Sequence, residues 1–157
     1  MHDQKILLIG SQGYLGSRLS KFLKDYGFNF KGLDTGYFKK GVIGKVNNSN
    51  DLYFDVENIT KRDLSKFDVV IQLADFSNDP IDKLNPKLFY NRTKNYTIKI
   101  AKICKKLGIK FLYPSSCSVY GINNKELTEK SPTNPQTYYS KNKLEIEKAL
   151  IKLSDKK

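Results

Sequence analysis

The apolar run Ile6-Leu-Leu-Ile9 leads without a spacer into Gly10-Ser-Gln-Gly13-Tyr-Leu-Gly16. A buried strand that feeds a glycine turn and then a helix leaves few folds open. In such a turn the first glycine permits the tight reversal. The second lets backbone N–H groups approach a phosphate, and the third lets the helix pack closely on the strand. The pattern alone recurs by chance, but its strand–turn–helix context is present here. Asp34 follows 18 residues after Gly16, where a carboxylate reads a ribose. The bland alternative is a turn with a purely structural role.

At 157 residues the chain fits one domain with a real core. No stretch approaches the roughly 20 apolar residues of a membrane span. The N-terminus runs directly into a strand, so no signal peptide is expected and a cytoplasmic location is inferred. Cys104 and Cys117 make no secreted disulfide pattern, and the single histidine, His2, leaves no metal site to expect. The net charge is +12. Its lysines are spread over the chain, with Lys102, Lys105 and Lys106 on an outer helix face and Lys152, Lys156 and Lys157 near the end. Without a basic stripe interleaved with aromatics, no nucleic-acid partner is expected. The charge reads as solvated faces, or as a general attraction to anionic ligands such as sugar nucleotides.

Periodicity predicts alternating strands and helices. Strands are expected at Lys5–Ile9, Phe28–Leu33, Leu52–Val56, Asp68–Ala74 and Lys110–Tyr113. A helix starts near Gly13, with Leu15, Leu19, Phe22, Leu23 and Tyr26 facing the sheet and Gly27 ending it. Thr35–Asn50 reads as a long loop, Lys61–Ser65 as a brief helix and Asp75–Pro80 as a loop. A long helix spans Pro86–Leu107, with Ile98, Ala101, Ile103, Cys104 and Leu107 inward and Gly108 as its stop. Pro114–Gly121 and residues 122–135 read as loops, and a final helix covers Thr137–Leu153. This alternation indicates an α/β fold with a doubly wound parallel sheet, Rossmann-like, whose ligands bind beyond the carboxyl ends of the strands. Gly10–Gly16, Asp34, Ala74–Pro80 and Ser115–Gly121 all fall at that edge.

Asp34 can accept hydrogen bonds from ribose hydroxyls and would repel a 2′-phosphate, favouring NAD over NADP. Its plainer role is to start the turn before Thr35-Gly36. Tyr139 and Lys143 lie four apart on the last helix and share a face. A lysine beside a phenol favours the phenolate, making Tyr139 a candidate general base. A chain rich in Tyr and Lys also produces such pairs on plain amphipathic helices. Ser115-Ser-Cys-Ser-Val-Tyr-Gly121 offers hydroxyls at the ligand edge, or simply builds a turn. Cys117 is a poor nucleophile candidate, because no histidine lies near it in sequence.

Taken together, these residues resemble the extended short-chain dehydrogenase/reductase family, in its NAD-dependent nucleotide-sugar epimerase/dehydratase branch. The resemblance rests on Gly10-x-x-Gly13-x-x-Gly16, Asp34, Asp55-Val56, Leu73-Ala74, Ser115-Ser116-x-Ser118-Val119-Tyr120-Gly121 and Tyr139-x-x-x-Lys143-x-x-x-Glu147, in family order over almost the whole chain. It implies NAD as cofactor, held by Gly10, Gly13, Tyr14, Leu15 and Gly16. Asp34 would take the adenosine ribose, Asp55 and Val56 the adenine, with Leu73 and Ala74 flanking. Ser116, Tyr139 and Lys143 would be catalytic, Lys143 also reaching the nicotinamide ribose. The implied chemistry is transient oxidation of a sugar hydroxyl on a nucleotide-sugar substrate. The resemblance also implies a homodimer through the two long helices.

There are departures. Ile9, Gln72 and Asp75 stand where the family often has Thr, His and Ala. The Asn usual in the long helix is not placed cleanly: counting back from Gly108 gives Thr93, while Asn91-Arg92 suits the motif but sits two residues away. Cys117-Ser118 replaces the Asp-Glu of 4,6-dehydratases. The chain also resembles only an N-terminal part, truncated after the Tyr/Lys helix, without a C-terminal substrate domain. Residues 1–157 are thus expected to form a single NAD-binding Rossmann-like domain with weak or no turnover alone. The alternative is a short non-catalytic NAD-binding or interaction module derived from the family.

Overall fold

A computed structural model describes residues 3–37, 51–76 and 85–154. The expected loops at 35–50 and 75–80 therefore lie largely outside the described residues, as do His2, Lys156 and Lys157. The backbone divides into two compact units, residues 1–75 with 99–113 and residues 76–98 with 114–157. The first holds the whole sheet. Strands β1 (Ile6–Ile9), β2 (Phe30–Asp34), β3 (Leu52–Tyr53), β4 (Val69–Gln72) and β5 (Lys110–Leu112) are ordered β3-β2-β1-β4-β5. Every pair is parallel, with Ile6 beside both Phe30 and Val69. This is the doubly wound order, and the chain reverses direction across the sheet between β1 and β4.

Strand β1 is buried along its full length, which explains its unbroken apolar run. Ile6, Leu8, Leu23 and Val69 form the core on the side of helix α1 (Tyr14–Asp25), joined by Leu19, Phe30, Ile71 and Leu73. The expected inner face of α1 needs correction. Leu15, Phe22 and Tyr26 are 61%, 49% and 62% exposed, whereas Gly16, Ser20 and Leu23 are buried. A small-residue face wins because α1 starts in contact with the turn that precedes it. A Cβ on Gly16 would overlap the Gly10 carbonyl oxygen and lie 2.9 Å from Ser11 Cα. Phe22 and Tyr26 stack on each other instead, with ring centroids 4.4 Å apart.

Strand β3 is also shorter than expected. Asp55 turns its carboxylate onto the Glu57 N–H at 3.0 Å and starts a 3-10 turn at Val56–Asn58. A residue that caps a turn leaves the strand ladder. The short helix α2 (Lys61–Leu64) opens with a capping box between Thr60 and Asp63. Helix α3 (Pro86–Leu107) has its expected ends, but its buried face needs correction too. Ala101 and Cys104 are buried as expected; Ile100 joins them, while Ile98, Ile103 and Leu107 are only partly covered. In the second unit, Cys117–Tyr120 forms a 3-10 turn and helix α4 runs Tyr138–Leu153. Thr137 caps α4 through a reciprocal pair with Ser140.

Two expectations follow. Gly16→Ala forces α1 off the turn and should cost about 3 kcal/mol in urea unfolding. At Gly13 the backbone is extended and an added Cβ meets only the Gly10 oxygen at 3.4 Å, so Gly13→Ala should cost no more than about 1 kcal/mol. Equal losses would contradict this packing. Secondly, burial pushes the Cys104 thiol up to about 12, whereas Cys117 is exposed. Because the thiolate is the reactive form, Ellman's reagent at pH 8 should label one cysteine in the folded chain and both in urea. Rapid labelling of both without denaturant would be inconsistent with a buried Cys104.

Candidate functional site

The site residues fall into two groups, one in each unit. In the first unit, Gly10 has φ +84° and turns the chain at the end of β1. Its N–H donates to the Leu33 carbonyl at 2.7 Å, and its own carbonyl accepts from Gly13 N–H at 3.1 Å. A Cβ on Gly10 would stand 2.6 Å from the Ala74 nitrogen, so the turn lies directly against Leu73 and Ala74 at the end of β4. Gly13 begins α1 without a side-chain cap, and the first turn of the helix holds no acidic residue. The N–H groups of Tyr14, Leu15 and Gly16 have no intrahelical acceptor. Tyr14 is 84% exposed at this end. An uncapped helix start that opens on a glycine, with no acidic residue in its own first turn, fits a pyrophosphate.

Asp34 closes the turn from β2. One carboxylate oxygen accepts from Gln12 N–H at 3.0 Å and the other from Gly36 N–H at 3.0 Å. Forming the turn still leaves each carboxylate oxygen a second lone pair that a ligand could use. Asp55 sits beyond the end of β3 as the cap of its 3-10 turn, followed by buried Val56. Gln72, fully buried on β4, donates to the Ala74 carbonyl at 3.0 Å and so fixes the strand end where the family often has His.

The second unit holds Ser116, Tyr139 and Lys143. Ser116 caps the 3-10 turn, its Oγ accepting from Ser118 N–H at 3.2 Å and lying 2.9 Å from Ser118 Oγ. Helix α4 packs against this turn. Lys143 is only 4% exposed, and its ammonium donates to the Pro114 carbonyl at 3.1 Å. The same Nζ lies 5.6 Å from the centre of the Tyr139 ring. The expected pair is thus one neighbourhood on α4. Tyr90 borders it, with ring centroids 6.3 Å apart. One helical turn further along, Glu147 accepts from Ser115 Oγ at 3.2 Å. Lys143 and Glu147 therefore hold two successive residues just before Ser116.

Several participants escape a motif reading. Ser11 and Gln12 look like variable positions between glycines, yet both are buried and bonded to Asp51 and Tyr53. Gly32, inside strand β2, is the signal that could have revealed this, since a strand glycine often marks a close approach. Thr93, at the position expected to hold Asn, is fully buried on α3 and bonded to the Phe89 carbonyl at 3.4 Å and to Tyr96 Oη at 3.3 Å.

A family model described as the NAD dependent epimerase/dehydratase family matches residues 6–157. An Escherichia coli N-acetyl-alpha-D-glucosaminyl-diphospho-ditrans,octacis-undecaprenol 4-epimerase is 30% identical over 154 residues, covering 94% of this chain and 43% of its own. A UDP-glucose 4-epimerase of Lactobacillus helveticus is 30% identical over 152 residues, covering 93% and 46% respectively. The chain thus spans less than half the length of these curated relatives. Among solved structures, a UDP-N-acetylglucosamine 4-epimerase from Methanobrevibacter ruminantium, in complex with UDP-N-acetylmuramic acid, superposes with a TM-score of 0.83 at 25% identity. That match covers 97% of this chain and 51% of the other.

Proposed function

Because the chain belongs to the NAD-dependent epimerase/dehydratase family, we propose that residues 1–157 form the NAD-binding domain of an oxidoreductase of nucleotide-sugar epimerase/dehydratase type. The observation that carries this reading is the contrast between the glycines. Gly10 and Gly16 are required by the fold, since a Cβ on either meets backbone at under 3 Å. Gly13 is not required by it, because its φ is −68° and its space is open apart from one contact at 3.4 Å. A glycine that the fold can spare, at the start of an uncapped helix, is explained by a ligand's approach.

In this reading the N–H groups of Tyr14, Leu15 and Gly16 hold the pyrophosphate. Asp34 offers its remaining lone pairs to the adenosine ribose and places negative charge where NADP carries its extra phosphate. Asp55 and Val56 border the adenine, and Leu73 and Ala74 flank the cofactor beside Gly10. When bound, NAD supplies a hydride acceptor. Tyr139 takes the proton from the sugar hydroxyl, Ser116 hydrogen-bonds the same oxygen, and Lys143 steadies the phenolate and reaches the nicotinamide ribose. The substrate class is a nucleotide sugar, in line with the UDP-sugars in the names of the Lactobacillus helveticus and Methanobrevibacter ruminantium relatives, whereas the Escherichia coli relative is named for a diphospho-undecaprenol-linked sugar.

Calorimetric titration tests the cofactor half. NAD should bind, with NADP at least about 10-fold weaker, the scale of one unfavourable charge contact. Gly13→Asp should abolish NAD binding while the chain stays folded by circular dichroism. Asp34→Asn should weaken NAD and narrow the gap to NADP. A folded wild-type chain that binds neither dinucleotide would overturn the proposal.

A further inference from the structure

The two residues between the first glycines of the turn are both buried polar groups, Ser11 at 0% and Gln12 at 7% exposure. Their side chains point toward the start of β3. Ser11 Oγ donates to Asp51 Oδ2 at 2.9 Å, and Gln12 Nε2 lies 3.4 Å from the same oxygen. Gln12 Nε2 also donates to Tyr53 Oη at 2.7 Å, while the Gln12 backbone N–H is held by Asp34. One residue of the turn is thus gripped through both backbone and side chain by β2 and β3.

The seat for Asp51 depends on a missing side chain. A Cβ at Gly32 would lie 2.5 Å from Asp51 Cγ and 2.6 Å from Ser11 Oγ. The Tyr53 ring similarly lies against Gly36, 3.1 Å from where a Cβ would stand. The arrangement also carries a cost, because Gln12 Oε1 is buried with no hydrogen-bond partner among the described residues. A glycine inside a strand, as at Gly32, and an unsatisfied amide oxygen are unfavourable for stability by themselves. A functional demand on the geometry of the turn accounts for their presence.

We propose that Asp51, acting with Gln12 and Tyr53, is a positioning brace that keeps the Gly10–Gly16 turn in its dinucleotide-binding shape. This rests on the NAD reading above. Asp51 need not touch the cofactor. Its carboxylate holds Ser11 and Gln12, which set the path of the backbone into Gly13 and the first turn of α1. Without the brace the turn spends less time in the competent shape, and apparent affinity falls by the same factor.

Two readouts on the whole chain test the brace. In Asp51→Ala, NAD affinity by calorimetry should fall about 10-fold, as expected when the competent population drops to about a tenth. Amide hydrogen exchange without ligand should accelerate at Gln12 and Gly13, while amides in the centre of β1 and β4 keep their protection. Asp51→Asn retains an acceptor for Ser11 and should recover most of both properties. Tyr53→Phe removes only the hydroxyl that receives Gln12 and should shift both readouts in the same direction by a smaller factor, which keeps the test open if Asp51→Ala fails to fold. Unchanged affinity and exchange in the folded variants would overturn the brace, as would Asp51→Asn behaving like Asp51→Ala. If wild type fails to bind NAD, the cofactor reading falls, while the exchange comparison still decides whether the brace orders the turn.

Discussion

The close approach of α1 to the chain that precedes it sets the geometry of the first unit. Gly16 lies so near the Gly10 carbonyl that no side chain fits between them. Helix α1 is therefore pinned at its first turn, directly above the end of β1. The same closeness presses Gly10 against Ala74 and brings the ends of β1 and β4 together. From there the remaining contacts follow in order. Gly10 and Ser11 reach the Leu33 carbonyl, Gln12 reaches Asp34, and the Leu73 N–H reaches the Ile9 carbonyl. A strand end whose N–H groups are used in this way leads into the start of α1, whose first N–H groups have no intrahelical acceptor.

In the second unit the organising element is a buried cation. Lys143 is almost inaccessible, and a charge taken out of water needs close polar partners. The Pro114 carbonyl is one, the face of the Tyr139 ring another neighbour. Burial therefore ties α4 to the loop carrying Ser115 and Ser116, and Glu147 repeats the tie one turn later. Thr137 and Ser140 fix where α4 begins and so set the register that puts Tyr139, Lys143 and Glu147 on one side. The residues with chemical potential are held by the same contacts that hold the fold.

Where a single local cause dominates, the sequence is legible. The apolar runs of β1 and β4, the stop at Gly108, the start of α4 at Thr137 and the boundaries of α3 could all be read from pattern and capping. The parallel α/β order followed from the alternation of elements. Legibility fails where a tertiary contact outranks periodicity. Leu15, Phe22 and Tyr26 fit a helical stripe as well as Leu19 and Leu23 do, but close contact at Gly16 rotates α1 toward its small residues. Asp55 ends β3 early through one hydrogen bond that hydrophobicity does not report. Ser11 and Gln12 were invisible because a glycine motif treats intervening positions as arbitrary. Their partners at residues 51 and 53 are distant in sequence and recognisable only through the space that Gly32 vacates.

The strong positive charge takes on a different meaning once the carboxylates are located. Asp34, Asp55, Asp63 and Asp68 all accept backbone N–H groups, from Gln12 and Gly36, Glu57, Thr60 and Lys5 respectively. For Asp63 the bonds to Thr60 hold the carboxyl below its usual range. These acidic side chains are spent on local structure at strand ends and turns. Lysines such as Lys102, Lys105 and Lys106 on α3 are instead exposed. Within a chain of 28 basic and 16 acidic residues, these four carboxylates thus serve the backbone, while the three lysines of α3 contribute to the positive field at the surface. An anion approaching α1 gains from the diffuse field, which salt screens over about 10 Å, and from the fixed amide donors, which salt barely affects. In the proposed reading, capture is therefore salt-sensitive in rate while Asp34 and the glycine turn choose the ligand.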